Sequence, residues 1–248
     1  MRSSELDYEL PPELIAQAPP ARRDDSRLLV FDRATKAIRH RVVSELPEEV
    51  GDALVVVNDT KVVPARLLAR RETGGEVEVL LLERRDGDVW EALARPSRRL
   101  RVGERLVGRT GPGTTPVAEL LADLGEGRWE VALPGEPDGE TPLPPYIHER
   151  LDDPARYQTV FAVESGSAAA PTAGLHFTPE LLEALDVERV TLHVGLDTFR
   201  PLQVDVLEEH ALHGERYRVE PHAWDRISAA PRVVAVGTTT LRVLESIV

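Results

Sequence analysis

The sequence lacks cysteine and long apolar runs. No cysteine occurs among its 248 residues, so disulfide bonds and cysteine metal ligands are excluded. No run approaches the roughly 20 apolar residues of a membrane-spanning helix, and residues 1–10 are acidic without the apolar segment of a secretory signal. We therefore expect a cytoplasmic protein with no membrane partner, and we expect it to be a monomer.

Positive charge is scarce overall but unevenly distributed. The net charge of −13 at first argues against a nucleic-acid partner. The first 109 residues nevertheless hold 20 Lys and Arg beside 20 Asp and Glu, whereas the remaining residues hold 10 and 23. The cations fall in dense groups, including Arg22, Arg23 and Arg27, and later Arg66, Arg70 and Arg71. Such groups either guide a polyanion to one face or are ordinary solvated side chains.

Short alternating strands dominate the middle of the chain. They follow two buried strands predicted at Leu28–Phe31 and Leu54–Asn58. The alternating runs are Ala65–Leu68, Val77–Leu82, Val89–Leu93, Arg105–Gly108 and Trp129–Leu133. Their close spacing, with Gly-, Pro- and Asp-bearing turns, predicts a small antiparallel barrel or sandwich.

The second half alternates between strands and helices. Patterns and caps predict strands at Val190–Val194 and Arg232–Val236, and helices at Pro179–Leu185 and Thr238–Ile247. The predicted fold is α/β with an inserted small antiparallel β-barrel domain, in which residues 1–60 and 146–248 form a discontinuous α/β catalytic domain and residues 61–145 form the insertion. The last helix has no following strand, so we expect the C-terminal part of the α/β domain to be lacking.

Two segments place a histidine among small residues. The loop Gly166–Thr178 lets a ligand approach its backbone closely and carries His176, although a tight surface loop with a structural histidine fits the same composition. In Thr191–Gly195, alternate side chains share one face, and Gly195 marks a strand exit, where α/β proteins place ligands. A satisfied core histidine is the alternative for His193.

The segment Glu208–Tyr217 is rich in groups that exchange protons. General acid–base duty by Glu215 or a histidine, tuned by Arg216, is one interpretation, and an ordinary solvated helix is another. Metal ligation would need His210, His213 and a third ligand, and no ligand signature fixes that set. We therefore predict no metal.

A strand runs into a hydroxyl-rich helix start at Val234–Thr240. That geometry suits a carboxylate or phosphate. The segment lacks the Gly-x-Gly-x-x-Gly spacing of a dinucleotide site, and no such spacing occurs elsewhere, which argues against a Rossmann-type methyltransferase.

Taken together, these segments resemble the S-adenosylmethionine:tRNA ribosyltransferase-isomerase family of queuosine biosynthesis. The matching stretches are Tyr8–Pro19, Arg22–Leu29, Asn58–Arg66, Gly75–Leu81, Pro145–Ile147, Arg156–Ala162, Gly166–Thr178, Thr191–Gly195, Glu209–Tyr217 and Val236–Thr239. The resemblance implies transfer and isomerisation of the ribosyl part of S-adenosylmethionine, a co-substrate, onto 7-aminomethyl-7-deazaguanine at the tRNA wobble position. The product is epoxyqueuosine in tRNA, and adenine and methionine leave. The family's α/β domain and β-barrel agree with the fold predicted above.

The resemblance also suggests roles for individual residues. The proposed catalytic residues are His176, His193, His213, Glu215 and Arg216, and the residues proposed around S-adenosylmethionine are Thr172, Gly174, Gly195, Thr238 and Thr239. The proposed tRNA-backbone contacts are Arg22, Arg23, Lys61 and Arg66. Family members continue past this chain's last helix with an Asn-Phe-His-Leu-Pro segment that is missing here. The alternative function is therefore a C-terminally truncated, inactive module that binds tRNA or S-adenosylmethionine.

Overall fold

The computed structural model describes residues 1–108, 116–149, 151–195, 204–209 and 214–247. Its strands are β1 (Arg27–Phe31), β2 (Ile38–Val42), β3 (Leu54–Asn58), β4 (Thr60–Val62), β5 (Arg66–Arg71), β6 (Glu76–Arg84), β7 (Val89–Arg95), β8 (Arg105–Gly108), β9 (Pro116–Gly125), β10 (Arg128–Ala132), β11 (Glu164–Ser167), β12 (Val187–Leu192), β13 (Tyr217–Arg218) and β14 (Val233–Ala235). Its α-helices are α1 (Leu46–Val50), α2 (Pro179–Glu183), α3 (Pro221–Ala229) and α4 (Thr238–Ile247).

Six antiparallel strands close into a barrel in the order β10-β7-β6-β5-β8-β9. Alternate residues of these strands are buried, as in β5, because successive side chains point to opposite faces. Trp90, Trp129, Leu81, Leu106 and Leu120 fill the interior, and each is at most 2% exposed. The barrel is therefore a packed core, and the predicted small antiparallel barrel is confirmed.

The second unit is a four-stranded sheet in the order β13-β12-β3-β14. Strands β12 and β14 run parallel to the central β3, and β13 is antiparallel to β12. All five residues of β3 are buried because both faces of the sheet are covered. Val56 packs with Ile227 of α3 and Val243 of α4, whereas Val57 packs with Phe177 on the opposite face. This layering confirms the predicted α/β fold class.

Two small sheets complete the fold. Strands β1 and β2 form an antiparallel hairpin, and β11 pairs in parallel with β4. The second pair matters for the site because β4 begins two residues after β3 ends and β11 overlaps the start of the small-residue loop Gly166–Thr178. It therefore fixes that loop against the end of the central strand.

The predicted boundaries were accurate for β3, β8 and α4 and approximate elsewhere. The strand predicted at Val190–Val194 is Val187–Leu192, so His193 and Gly195 lie just beyond the strand and not within it. The reason is that the pairing with β3 stops at Val190 and the pairing with β13 covers only Thr191 and Leu192, so no strand pairing continues beyond Leu192. Among the described helices, none is both long and apolar enough to span a bilayer.

Candidate functional site

The carboxyl ends of β3 and β12 are tied together by one buried side chain. Asn58 is 1% exposed. Its Nδ2 donates to the Leu192 carbonyl (3.0 Å), and its Oδ1 accepts from the Leu192 N–H (2.9 Å). The same Nδ2 lies 3.4 Å from Oγ1 of Thr239 on α4. Asn58 therefore aligns the two strand ends with the start of α4, at the edge where open α/β sheets bind ligands.

Two side-chain pairs occupy this edge. The Thr191 hydroxyl donates to Asp59 Oδ1 (2.7 Å), and the Thr60 hydroxyl hydrogen-bonds His193 Nδ1 (2.8 Å). Burial raises the pKa of Asp59, an effect that the Thr191 hydrogen bond opposes. Burial lowers the pKa of the half-buried His193, which makes it a neutral proton acceptor at pH 7.

The His193 ring lies against the backbone of Gly166. A Cβ added to this glycine would lie 3.1 Å from Cε1 and 3.2 Å from Nδ1 of the ring. Gly166 has φ +144°, a conformation that residues with a side chain rarely adopt. The backbone of the small-residue loop therefore packs directly against the imidazole ring, with no side chain between them.

Replacing Gly166 by alanine is expected to lower kcat at least tenfold. The new methyl group would push the imidazole away from Thr60, and the strained φ would cost about 1–3 kcal/mol. Gly103→Ala is the control, because Gly103 also has positive φ (+81°) but has open space around its Cβ position. Steady-state kinetics and urea denaturation would separate the two effects, and equal kcat values in the two variants would contradict the packing argument.

Glu215 connects the end of β12 to α4. Its Oε1 accepts from the Gly195 N–H (2.8 Å), and its Oε2 accepts from Arg242 of α4 (2.6 Å). The side chain is only 10% exposed. The next residue, Arg216, pairs through Nε with Glu83 of the barrel strand β6 (2.5 Å), and its carbonyl accepts from the His193 N–H (3.1 Å). Glu215 thus links the end of β12 to α4, and its neighbour Arg216 links His193 to the barrel.

The turn Thr172–His176 forms a wall between this edge and a second site. On one side, a Cβ added to Gly237 would lie 3.3 Å from the Ala173 Cβ, so the turn touches the start of α4. On the other side, Thr172 and His176 line a cavity of about 380 Å³, called here the His176 cavity. His193 is not among its lining residues. The structure therefore places the two candidate histidines in different sites.

His176 is held in its cavity by polar neighbours. Its Nδ1 lies 3.0 Å from the Ser26 hydroxyl. Burial, reinforced by the nearby Arg23 charge, lowers the pKa of His176, and a hydrogen bond to the Arg23 backbone partly offsets this. Like His193, it is a neutral ring at pH 7.

Comparisons with known proteins identify the family of this chain. A model of the family described as "Queuosine biosynthesis protein" matches residues 3–248. The chain belongs to this family. It is 50% identical to the S-adenosylmethionine:tRNA ribosyltransferase-isomerase of Desulfitobacterium hafniense and 52% identical to that of Symbiobacterium thermophilum, in each case over 100% of this chain and 77% of the relative. The crystal structure of S-adenosylmethionine tRNA ribosyltransferase from Thermotoga maritima is 34% identical, covers 98% of this chain and 72% of its own, and gives a TM-score of 0.44.

Within this chain, the residues predicted around S-adenosylmethionine lie close to one another. Gly195, Thr238 and Thr239 lie at the carboxyl edge of the sheet, and Thr172 and Gly174 lie in the turn beside them. Gly174 is buried against Phe161, whose Cζ would be 2.6 Å from an added Cβ, so this glycine shapes the turn. The contact of each residue with a ligand remains a prediction.

Three of the four arginine and lysine residues predicted to contact tRNA already have partners within the protein. Arg22 pairs with Asp24, and Arg66 pairs with Glu78 and Glu140. Arg23 donates to the carbonyls of Leu175 and Ala155. Lys61 is exposed on β4, and no ion pair is found for it among the described residues. Their role in binding tRNA remains a prediction.

Some predicted residues lie outside the described part of the chain. These are His213 and, from the metal-ligand alternative, His210. In the described ranges, no three His, Asp or Glu side chains are grouped as a metal site would require.

The sequence reasoning missed several residues of the two sites. Asn58, Asp59 and Thr60 lie in a stretch that matches the family, but no role was predicted for them. The same holds for Ser26 and Tyr157. The available signal was position, because Asn58–Thr60 directly follow a fully buried strand. Side chains at such a strand end face the ligand edge of an α/β sheet.

The lowered pKa values of His176 and His193 predict a loss of stability in mild acid. Both have folded-state pKa values below the ordinary 6.5, so the unfolded chain binds protons more readily. Their contribution is fully present above about pH 6.5 and is lost as the pH falls through the folded-state values. Asp59, with its raised pKa, acts in the opposite sense, and its contribution is lost as the pH rises.

We therefore expect Tm to fall between pH 7 and pH 5, and to fall less in a His176→Asn, His193→Asn double variant. His222→Asn, at an exposed position on α3, is the matched control. Calorimetric Tm values at several pH values would test this. An unchanged slope in the double variant would contradict the assignment.

Proposed function

We propose that this chain transfers and isomerises the ribosyl moiety of S-adenosylmethionine onto 7-aminomethyl-7-deazaguanine in tRNA. The product is epoxyqueuosine in tRNA, with release of adenine and methionine. The observation that carries the proposal is the identity of about half of all residues, over the full chain, with proteins named S-adenosylmethionine:tRNA ribosyltransferase-isomerase. This whole-chain similarity to enzymes favours catalysis over the binding-only alternative.

The reaction requires proton transfers at defined atoms. A base removes one proton from a sugar carbon that the sulfonium acidifies, and adenine gains one proton as its bond to the sugar breaks. The carbon–sulfur bond also breaks, and its electron pair stays on sulfur as methionine leaves. Rearrangement of the sugar breaks its ring carbon–oxygen bond and forms one carbon–carbon bond and the carbon–oxygen bond that closes the epoxide. The amine forms a new nitrogen–carbon bond at the carbon that gave up the ring oxygen and loses one proton, so bonds, atoms and charge balance. These steps need acid–base groups.

His193 is the best-placed base for the carbon. It is neutral at pH 7, Thr60 fixes its Nδ1, and Nε2 is the nitrogen left to exchange a proton. Asp59 lies next along the same edge, and its raised pKa suits a group that exchanges protons. Glu215 has both oxygens engaged and acts as a positioning residue for Gly195. Arg216 holds the barrel near this edge.

The same geometry supports a position for each substrate. The methionine carboxylate fits the start of α4, where Thr238 and Thr239 add hydroxyl donors to a helix N-terminus. Lys61, exposed one residue beyond Thr60, is placed to meet the tRNA backbone. We further propose that the protein acts as a cytoplasmic monomer on the wobble position of its tRNA.

Adenine release tests the proposal. The purified chain would be mixed with S-adenosylmethionine and tRNA carrying 7-aminomethyl-7-deazaguanine, and adenine would be followed by chromatography. We expect adenine only with the modified tRNA, and unmodified tRNA is the control. Tight binding of tRNA or S-adenosylmethionine without adenine release would support the binding-only alternative.

A further inference from the structure

The His176 cavity is built from five segments that are distant in the sequence. They are residues 16–20, residues 23–26, residues 143–149 with Leu151, residues 156–157 and residues 172–176. All five contain residues from stretches through which the chain resembles its family. Its volume of about 380 Å³ lies in the range of small-molecule sites. Chain segments that are so far apart meet here at a ligand-sized space.

The cavity is not suited to an anion. Arg23 directs two N–H groups to the carbonyls of Leu175 and Ala155, and Arg156 directs two to those of Ala21 and Pro20. Both guanidinium groups thus donate hydrogen bonds to backbone carbonyls. The one acidic residue among the lining residues, Glu149, is exposed and would repel a phosphate or carboxylate.

The walls suit a flat, neutral heterocycle. His176 is a neutral ring, and burial raises the pKa of Tyr157 to about 12, so its phenol is also neutral. Tyr146 and the prolines Pro19, Pro20 and Pro144 add flat apolar surface. Aromatic side chains bind planar rings by stacking. This combination is typical of a nucleobase pocket.

The turn between the cavity and the start of α4 favours the adenine of S-adenosylmethionine over a tRNA base as the ligand of the cavity. The turn Thr172–His176 lines the cavity on one side and touches the start of α4 on the other. The cavity and the start of α4 therefore adjoin the same five-residue turn, and we place the two ends of one ligand on its two sides. A tRNA base would arrive with flanking phosphates, which Glu149 repels and which the two engaged arginines do not meet.

We infer that the His176 cavity binds the adenine ring of S-adenosylmethionine, with His176 as a contact residue. This inference rests on the proposed function for its choice of ligand. It places the adenine on the opposite side of the Thr172–His176 turn from the methionine carboxylate.

Calorimetric titration with adenine and with S-adenosylmethionine tests the inference without turnover. Ala18→Phe would fill the cavity from an exposed lining position, and His176→Ala would remove the contact residue. We expect both variants to weaken adenine and S-adenosylmethionine binding at least tenfold and to leave tRNA affinity unchanged. Ala229→Phe, at the exposed end of α3, is the matched control and should bind like the wild type.

Three results would overturn the inference: no adenine binding by the wild type below about 1 mM, unchanged adenine affinity in both variants, or a fall in tRNA affinity in place of adenine affinity. The adenine-release assay on the wild type keeps the two proposals distinct. Turnover by the wild type with unaltered adenine binding in Ala18→Phe would leave the function standing and remove the cavity assignment. Adenine binding that Ala18→Phe blocks, without wild-type turnover, would leave the cavity and remove the function.

Discussion

Replacing His193 by asparagine is expected to lower kcat by about 10²–10⁴-fold, the usual contribution of a positioned general base. Asparagine keeps a polar group near the Thr60 hydroxyl, 2.8 Å from Nδ1 in the wild type, but it exchanges no proton at neutral pH. The affinities for tRNA and S-adenosylmethionine should change little. Single-turnover adenine release and separate binding titrations would measure the two effects.

The matched control is His222→Asn, which removes an exposed histidine of α3 and should leave kcat unchanged. Thr60→Val is a second, subtler variant, because it removes only the hydroxyl that fixes the imidazole. We expect it to shift the acidic limb of the kcat profile and to lower kcat less than His193→Asn does. An unchanged kcat in His193→Asn would remove His193 from the mechanism and leave Asp59 as the base at this edge.

Trp129→Ala is expected to lower the free energy of unfolding by about 3–5 kcal/mol, the usual cost of removing a large core aromatic residue. Trp129 is 1% exposed inside the barrel. Its Nε1 donates to the Ser97 hydroxyl (2.9 Å), so the variant also removes a hydrogen bond. Urea denaturation would give the change, and Trp129→Phe, which keeps a ring, should cost distinctly less.

The same variant tests the proposal that residues 61–145 form an inserted domain. If they do, the barrel of Trp129→Ala should unfold at lower urea than the α/β domain. Trp224 lies in α3 and Trp90 lies in the barrel strand β7, so with Trp90 also replaced by phenylalanine the remaining tryptophan reports on the α/β domain and its fluorescence should follow the later transition. A single transition seen by all probes would show that the two parts fold as one unit.

Local pattern was sufficient to predict much of the fold. The apolar run Leu54–Asn58 was predicted as a buried strand, and it is the central strand of the sheet. Thr178 and Pro179 marked the start of α2, where the Thr178 hydroxyl accepts from the Leu181 N–H. In both cases the deciding physics acts within a few residues, through alternation, capping and the fixed φ of proline.

Other elements were missed because their signals are weak or nonlocal. Pro116–Gly125 forms the ten-residue strand β9, but it contains Asp, Glu and Ala, which are depleted in strands. Closure of the barrel recruits it as the neighbour of both β8 and β10. The two-residue strand β13 exists only because β12 offers an edge.

The sequence by itself determined the family and the α/β and barrel fold class, and it singled out His176 and His193 as candidate site residues. Only the tertiary structure decided that His176 and His193 belong to different sites. The Thr172–His176 turn separates them, and its position depends on contacts with Gly237 and Phe161. Those contacts join residues far apart in the chain, and burial, which depends on the same packing, lowers both histidine pKa values. Spacing along the sequence carries no information about either.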